Sequence, residues 1–540
     1  MRYFKKLSAF ILALCFIILS GCNKSGGGSS SESETGSALH SAGGRDYLTL
    51  LYSASDSFNP YTASTDINRQ LCRLMYEPLI KLDNDFNVYY SIAQSAETDG
   101  TTCTVTLKDT QFSDGSRLTA DDVVYSYNAA KNSSTEYAYK LYEVVSATAS
   151  GSNKVIFRIS KSDPYFVNLL DFPIIKKDSE KRKNDDGVEK PPIGAGRYVS
   201  DDEMTKLTVN PKFSGSGNFS IKEIRLINAP DSESVSHYVE IGAADMYYSD
   251  ISDGKIVRMS GKKVSINLNR LVYIAVNSSY GDLGKEELRQ AISSGIDRKT
   301  ICRDGYYNNA IPAKGFYNPV WKPVNSVQNI ETQTNREITI ENLEKIGYNN
   351  VDTAGVRKNQ SGGSLSFELL VNGENISRVT AAKLIASKLS EYGFKIRVAE
   401  KSFADYTASI ASGNFQLGLA EVAITPNMDI SSLVTEGGSA AYGIKTANKN
   451  NADGKTEPAA DTSGNQQTEE KSLTAAELVN GFYAGTNTLA DLASVLQTEM
   501  PVIPICYRTG VLFYNDKIEN VNNSSCSDIY FSIDSYSVVS

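Results

Sequence analysis

Apolar and polar positions alternate along this chain with two periods. Tyr47 to Tyr52 is an almost unbroken apolar run that predicts a buried strand, closed by the turn-forming stretch Asp56-Ser57-Phe58-Asn59-Pro60. Cys103, Val105 and Leu107 alternate with threonines as a half-buried strand does, and Val155, Phe157 and Ile159 repeat that spacing. Between them, Thr119-Ala120-Asp121-Asp122 opens a helix, with Thr119 as cap and two carboxylates where the helix dipole favours negative charge. Capping accounts for these paired acids without any catalytic role.

The second half switches between the helical and the strand period. Leu288, Ala291 and Ile292 share one face of a helix over 286–294. Ala382, Ile385, Leu389 and Tyr392 line another that stops at Gly393, and Phe394, Ile396 and Val398 then alternate as a strand. A helix over 403–410 precedes a strand through Phe415, Leu417 and Leu419. This alternation predicts an α/β lobe with a partly parallel sheet, whereas the strand-rich first half reads as α+β.

The N-terminus has a pattern of its own. Arg2, Lys5 and Lys6 precede an apolar run from Leu7 to Leu19, too short to span a bilayer, so 1–21 reads as a signal peptide. Leu19-Ser20-Gly21-Cys22 resembles a bacterial lipobox, which implies cleavage before Cys22 and a lipid thioether on its sulfur. Residues 22–45, rich in Gly and Ser, form the expected flexible tether. Residues 446–472 lack apolar periodicity and read as a disordered surface insertion.

Composition narrows the chemistry. At 540 residues, the chain is long enough for about three lobes with their own cores. Its net charge of −9, which becomes −12 once three signal-peptide cations are removed, disfavours nucleic acid. Only His40 and His237 are present, so neither a His-rich metal site nor His-based nucleophilic catalysis is expected, and no cofactor motif occurs. Of seven cysteines, Cys72, Cys103, Cys302, Cys506 and Cys526 remain after the signal and the lipidation site are set aside. They are expected as buried free thiols, with a Cys506–Cys526 pair as the alternative.

The run LKDTQFSDGSRLTADDVVYSY at 107–127 resembles the signature of the family 5 extracellular solute-binding proteins, the dipeptide- and oligopeptide-binding components of ABC importers. Asn59-Pro60 with Tyr76-Glu77-Pro78-Leu79, then Pro192 to Tyr198, Leu288 to Arg298 and Met500 to Pro504 are similar to further blocks of that family, in the same order. At Pro192 to Tyr198, Ala195 and Arg197 depart from the family's turn. The resemblance implies a two-lobed periplasmic-binding-protein-like fold of type II, α/β and α+β, with an extra subdomain in the first lobe. Lobe I would take 46–63, 188–270 and 500–540, the subdomain 64–187, and lobe II 271–499.

It further implies a non-catalytic, monomeric lipoprotein, outside the cytoplasm and held to the membrane only by its lipid. That protein would capture a small peptide between its lobes and deliver it to permease subunits. The alternatives are the same fold holding a nickel chelate, an oligosaccharide or a peptide pheromone, or a secreted carboxylate-dependent hydrolase. The family's amino-anchoring aspartate maps to the stretch FQLGLAEVAITPNMDISSL at 415–433. Thr425 and Asn427 stand about where that acid is expected, with Glu421 and Asp429 as the nearby carboxylates. Each acid has a second reading, Glu421 as a solvated strand end and Asp429 as a helix cap. Ser57, Phe58, Asn59 and Tyr61 match the family's ligand-contacting segment, or form a plain turn, and Tyr442 lies in a loop that could face the cleft.

Overall fold

The structure is a computed structural model that describes residues 44–540 apart from 202, 216, 252–253, 255–258, 328–329, 331–333, 445–472 and 540. Cys22, His40, most of the tether and the 446–472 insertion therefore lie outside the described residues. The chain opens with β1 (Tyr47–Tyr52) and α1 (Asp66–Met75), whose cap Thr65 accepts from the Asn68 N–H. The subdomain follows, with β2 (Ala93–Asp99), β3 (Thr102–Leu107), α2 (Ala120–Lys131), α3 (Glu136–Lys140), β4 (Val144–Ala149) and β5 (Lys154–Ile159). Its four strands form an antiparallel sheet in the order β2-β3-β5-β4.

The chain then returns to the first lobe through β6 (Tyr198–Ser200), β7 (Lys206–Val209) and β8 (Glu223–Asn228). Here the order is β1-β8-β7-β6, with β1 parallel to β8. Next come β9 (Met246–Ser249), the long β10 (Lys262–Val276), α4 (Glu286–Gly295), β11 (Ala310–Pro312) and β12 (Ser366–Asn372). The strand–helix alternation predicted for the second half is present as α5 (Ile376–Ser390), β13 (Lys395–Lys401), α6 (Phe403–Ala411) and β14 (Leu417–Ala423). A short α7 (Ser431–Val434) and the long β15 (Val502–Tyr514) complete the elements used below.

One seven-stranded sheet runs β9-β15-β10-β14-β12-β13, with β11 added on β15. β12 is parallel to both β13 and β14, as βαβ connections require. This sheet serves both lobes. Ile266 and Leu268 of β10, with Leu512 and Tyr514 of β15, belong to the first lobe's core, which is continuous with that of the subdomain. Leu271 to Val276 and Val502 to Tyr507, apart from Pro504, belong to the second core. β15 thus passes from one core to the other beyond Tyr507, its opening half being buried against second-core strands.

The pairing of β10 with β15 breaks at this boundary. Asn267 faces Thr509 and Leu271 faces Tyr507, so three residues of β10 oppose one of β15. The side chain of Asn84 closes this gap from the subdomain side, accepting from the Asn267 N–H at 2.8 Å and donating to the Ser265 carbonyl.

The signature residues hold structure together. Asp122 accepts from the Thr119 N–H at 2.9 Å and, through its other oxygen, from the Lys177 N–H at 3.0 Å. Gly194 and Gly196 pass against the end of α1, where an added Cβ would come 2.1 and 2.2 Å from Met75 backbone atoms. Arg197 is fully buried, its guanidinium 2.6 Å from Asp528 and 3.4 Å from Glu77 while donating to the Tyr530 and Arg73 carbonyls. Cys72, Cys103, Cys302 and Cys506 are buried free thiols and Cys526 is a half-buried one.

Arg197→Met leaves the buried Asp528 and Glu77 carboxylates with only Lys81, 3.7 and 3.0 Å away, as counter-charge. Loss of one partner of such a group costs about 3–5 kcal/mol. Urea unfolding should show a lower midpoint, with a loss of unfolding free energy of up to that size.

Candidate functional site

Two groups of side chains meet where the lobes join. The first lines an open cavity of about 720 Å³ between the subdomain and lobe II, with Tyr139, Glu143 and Lys161 on one wall and Thr425, Asn427 and Asp429 on the other. Polar bonds tie the two walls. Lys161 Nζ is 2.7 Å from Asp429, Asn427 Nδ2 donates to Asp163 at 2.7 Å, and Asn168 donates to the Pro426 carbonyl. The Tyr139 hydroxyl donates to the carbonyl of Ala423, the last residue of β14. Asp429 also accepts from the Ser431 N–H at 2.8 Å, so it combines the local turn-capping role with a salt bridge across the cavity. Burial pushes the Asp163 carboxyl up to about 6, opposed by its bonds to Asn427 and the Tyr165 N–H.

The second group is cationic. Glu421, on β14, lies 3.6 Å from Arg270, 3.2 Å from Arg378 and 3.4 Å from Arg508. Its side chain is only 5% exposed. Three guanidiniums already surround it, so it is not a solvated strand end. Arg270 and Arg508 come from the interrupted stretch of β10 and β15, and Arg378 from the first turn of α5. On the first lobe, Asp66 is largely exposed and pairs with Arg69 at 2.8 Å.

The segment after β1 is different. Ser57 Oγ accepts from the Asn59 N–H and the Thr62 hydroxyl, and the Asn59 side chain accepts from the Tyr61 N–H. Phe58 and Tyr61 are buried in the first lobe, with the Tyr61 hydroxyl donating to the Pro173 carbonyl. Phe58 and Tyr61 are core residues, and the segment closes a turn through its own hydrogen bonds. Tyr442 is half-buried against the second core. Trp321 is packed edge-on to Tyr165, as an anchor of that core.

Thr425, Asn427 and Asp429, singled out from the sequence, line the cavity, whereas Arg270, Arg378, Arg508 and Asp163 were not singled out. A readable signal existed for Arg508: a charge inside Val502–Tyr514, an apolar run that could only be a buried strand. Among the described residues, no group of three or more His, Cys, Asp or Glu is placed to hold a metal ion, and no helix is long and apolar enough to cross a membrane.

The family model for bacterial extracellular solute-binding proteins, family 5, matches residues 87–442. The chain belongs to this family. Among curated relatives, it is 24% identical over 413 residues to the oligopeptide-binding protein AppA of Bacillus subtilis, covering 72% of this chain and 74% of that one. It is also 24% identical to the oligopeptide-binding protein OppA of the same organism, over 59% of this chain and 64% of the relative. A glutathione-binding protein GsiB of Salmonella paratyphi A is 23% identical over 51% and 56% of the two chains. In fold, this family member is similar to the unliganded open form of the murein tripeptide binding protein MppA, with TM-score 0.70, 16% identity and coverage of 92% and 98%. A nickel ABC transporter structure from Bacillus halodurans follows at TM-score 0.69, 16% identity and coverage of 92% and 100%. These structures share the two-lobed fold.

Asp163 joins the subdomain to lobe II with its carboxyl raised from 3.8 to about 6. The protonated form is favoured in the folded state, so its contribution to stability is full below about pH 4 and is lost as pH rises through 6. Asp163→Asn should flatten the dependence of the unfolding free energy between pH 4 and 7 by about 2–3 kcal/mol. Chemical denaturation across that range checks it.

Proposed function

We propose that this chain is the extracytoplasmic substrate-binding lipoprotein of an ABC importer, anchored through Cys22, which captures a small peptide between its lobes and hands it to the permease. The observation that carries this reading is the junction itself. The subdomain and lobe II enclose a cavity of a size typical for small-molecule ligands, and paired polar groups link its walls. Both lobes hang on the interrupted pair β10 and β15, so closure can be a hinge motion with the cores intact.

A peptide suits these walls. Thr425, Asn427, Asp429 and Lys161 present donors, acceptors and both signs of charge, the inventory a peptide backbone with two charged ends requires. The curated relatives named as oligopeptide- and glutathione-binding proteins favour the same class. Capture needs no covalent step and no cofactor.

Native mass spectrometry of the purified chain, before and after mild denaturation, should release a ladder of masses matching short peptides. One discrete non-peptide mass would move the assignment to another solute. An empty chain with no thermal shift from a peptide library would end the peptide reading. Cys22→Ala should move the protein from the membrane to the soluble fraction, and unchanged membrane association would refute the anchor.

A further inference from the structure

Two buried thiols meet in lobe II. Cys302 lies in a single π-helical turn, Ile301–Gly305, closed by the Tyr306 N–H on the Ile301 carbonyl at 3.1 Å. Such turns are rare and gather at functional places. From there the chain doubles back along β15. The Asn309 carbonyl accepts from the Thr509 N–H, Pro312 faces Cys506, and the Ala313 N–H donates to the Ile505 carbonyl. Ahead of the turn, Arg298 Nε donates to the Pro504 carbonyl at 2.9 Å. Both flanks of Cys302 are thus fastened to the stretch of β15 that carries Cys506, and the two thiols lie within hydrogen-bonding reach of each other.

The surroundings suit thiol chemistry. Arg298 is buried, and among the described residues it has no carboxylate partner; its guanidinium is held by the Pro504 and Ser293 carbonyls and the Ser293 hydroxyl. Burial lowers it to about 10, and the two thiols are the groups beside it that can supply negative charge. A thiolate is stabilised next to such a cation. Cys506 is fully buried, which pushes its thiol well up, whereas Cys302 retains slight exposure and is the outer of the two. Tyr307 and Asn308 follow with left-handed φ of 53° and 62°, although neither is glycine, and Tyr307 is half exposed. A π turn joined to strained backbone is the part of this wall that opens most readily.

We propose that Cys302 and Cys506 are a redox pair, which forms a disulfide by exchange with a small-molecule disulfide. The Cys302 thiolate attacks one sulfur of the small molecule, whose other half leaves as a thiolate and takes up the Cys302 proton. Cys506 then attacks the Cys302 sulfur of the mixed disulfide, and the second half leaves with the Cys506 proton. One S–S bond breaks and one forms; the protein loses two electrons and two protons, and the small disulfide becomes two thiols. The family is extracellular, where a disulfide persists. A bridge between positions so far apart in the chain restrains the unfolded state strongly, and it staples the 301–313 segment to β15 beside the hinge.

The test treats the purified, folded full chain with oxidised glutathione and follows it by peptide mapping and thermal shift. The wild type should yield one crosslinked peptide pair, holding Cys302 and Cys506 and lighter by about 2 Da than its reduced parts. Its thermal midpoint should rise by at least about 2 °C, and dithiothreitol should reverse both changes. Cys506→Ala removes the second thiol, so Cys302 should instead accumulate the mixed glutathione disulfide. Cys302→Ala should leave Cys506 unmodified. A wild type in which both thiols stay free overturns the proposal, as does a crosslink that forms only in urea or maps to another pair. If Cys506→Ala does not fold, the wild-type crosslink and its absence from Cys302→Ala still decide the matter.

Discussion

Two adjacent antiparallel strands carry the connection between the lobes, and their pairing is interrupted where the two hydrophobic cores part. β10 contributes Ile266 and Leu268 to one core and Leu271 onward to the other; β15 does the same with Leu512 and Tyr507. A strand whose side chains are locked on both sides by packed interiors cannot slip register without turning apolar groups to the wrong face. Bending is therefore confined to the few residues between, 268–270 and 508, where no ladder bond has to break. Side chains take over from the ladder there. Asn84 bonds to Asn267, the Asn318 amide donates to the Leu268 carbonyl, and that of Asn269 to the carbonyl of Thr425.

The same interruption explains why charge is tolerated so deep in the sheet. A regular ladder would leave Arg508 inside an apolar stack with nothing to pair its guanidinium. The break instead opens room for Glu421, from the neighbouring strand, and for the Asp250 carbonyl. Desolvation of several ions is costly even when they are paired. The backbone irregularity is thus what lets these charges find partners.

Much of the fold was legible in the sequence. The half-buried strands around Cys103 and Phe157, the capped helix after Thr119 and the alternating elements from 376 to 423 all appear, because each has a strong local period or a strong cap. The lobe boundary in β15 was not legible, since 502–514 is apolar throughout and nothing local marks the point where it passes from one core to the next. The site was legible only in part. Thr425, Asn427 and Asp429 follow a strand end and so fall on the cavity wall. Arg270 and Arg378 are far apart in the chain, and only the sheet order brings them to Glu421. Phe58 and Tyr61 lie in a segment that reads equally as a turn or as a binding loop, since the two have the same local composition; tertiary packing buries both rings.

The residues that carry the family resemblance are a different set from those that line the cavity. Asp122 fastens the start of a helix to the segment at Lys177; Gly194 and Gly196 permit a backbone crossing against α1; Arg197 ties that crossing to the C-terminal segment through Asp528. Each satisfies a demand that any occupant of the cleft would leave in place. The cavity wall at 425–429 and the arginines at the strand break lie apart from these scaffold contacts. Here the carboxylate of Glu421 is enclosed by three guanidiniums. Family membership fixes how this protein folds and closes; the identity of its solute is written in side chains that the family signature does not contain.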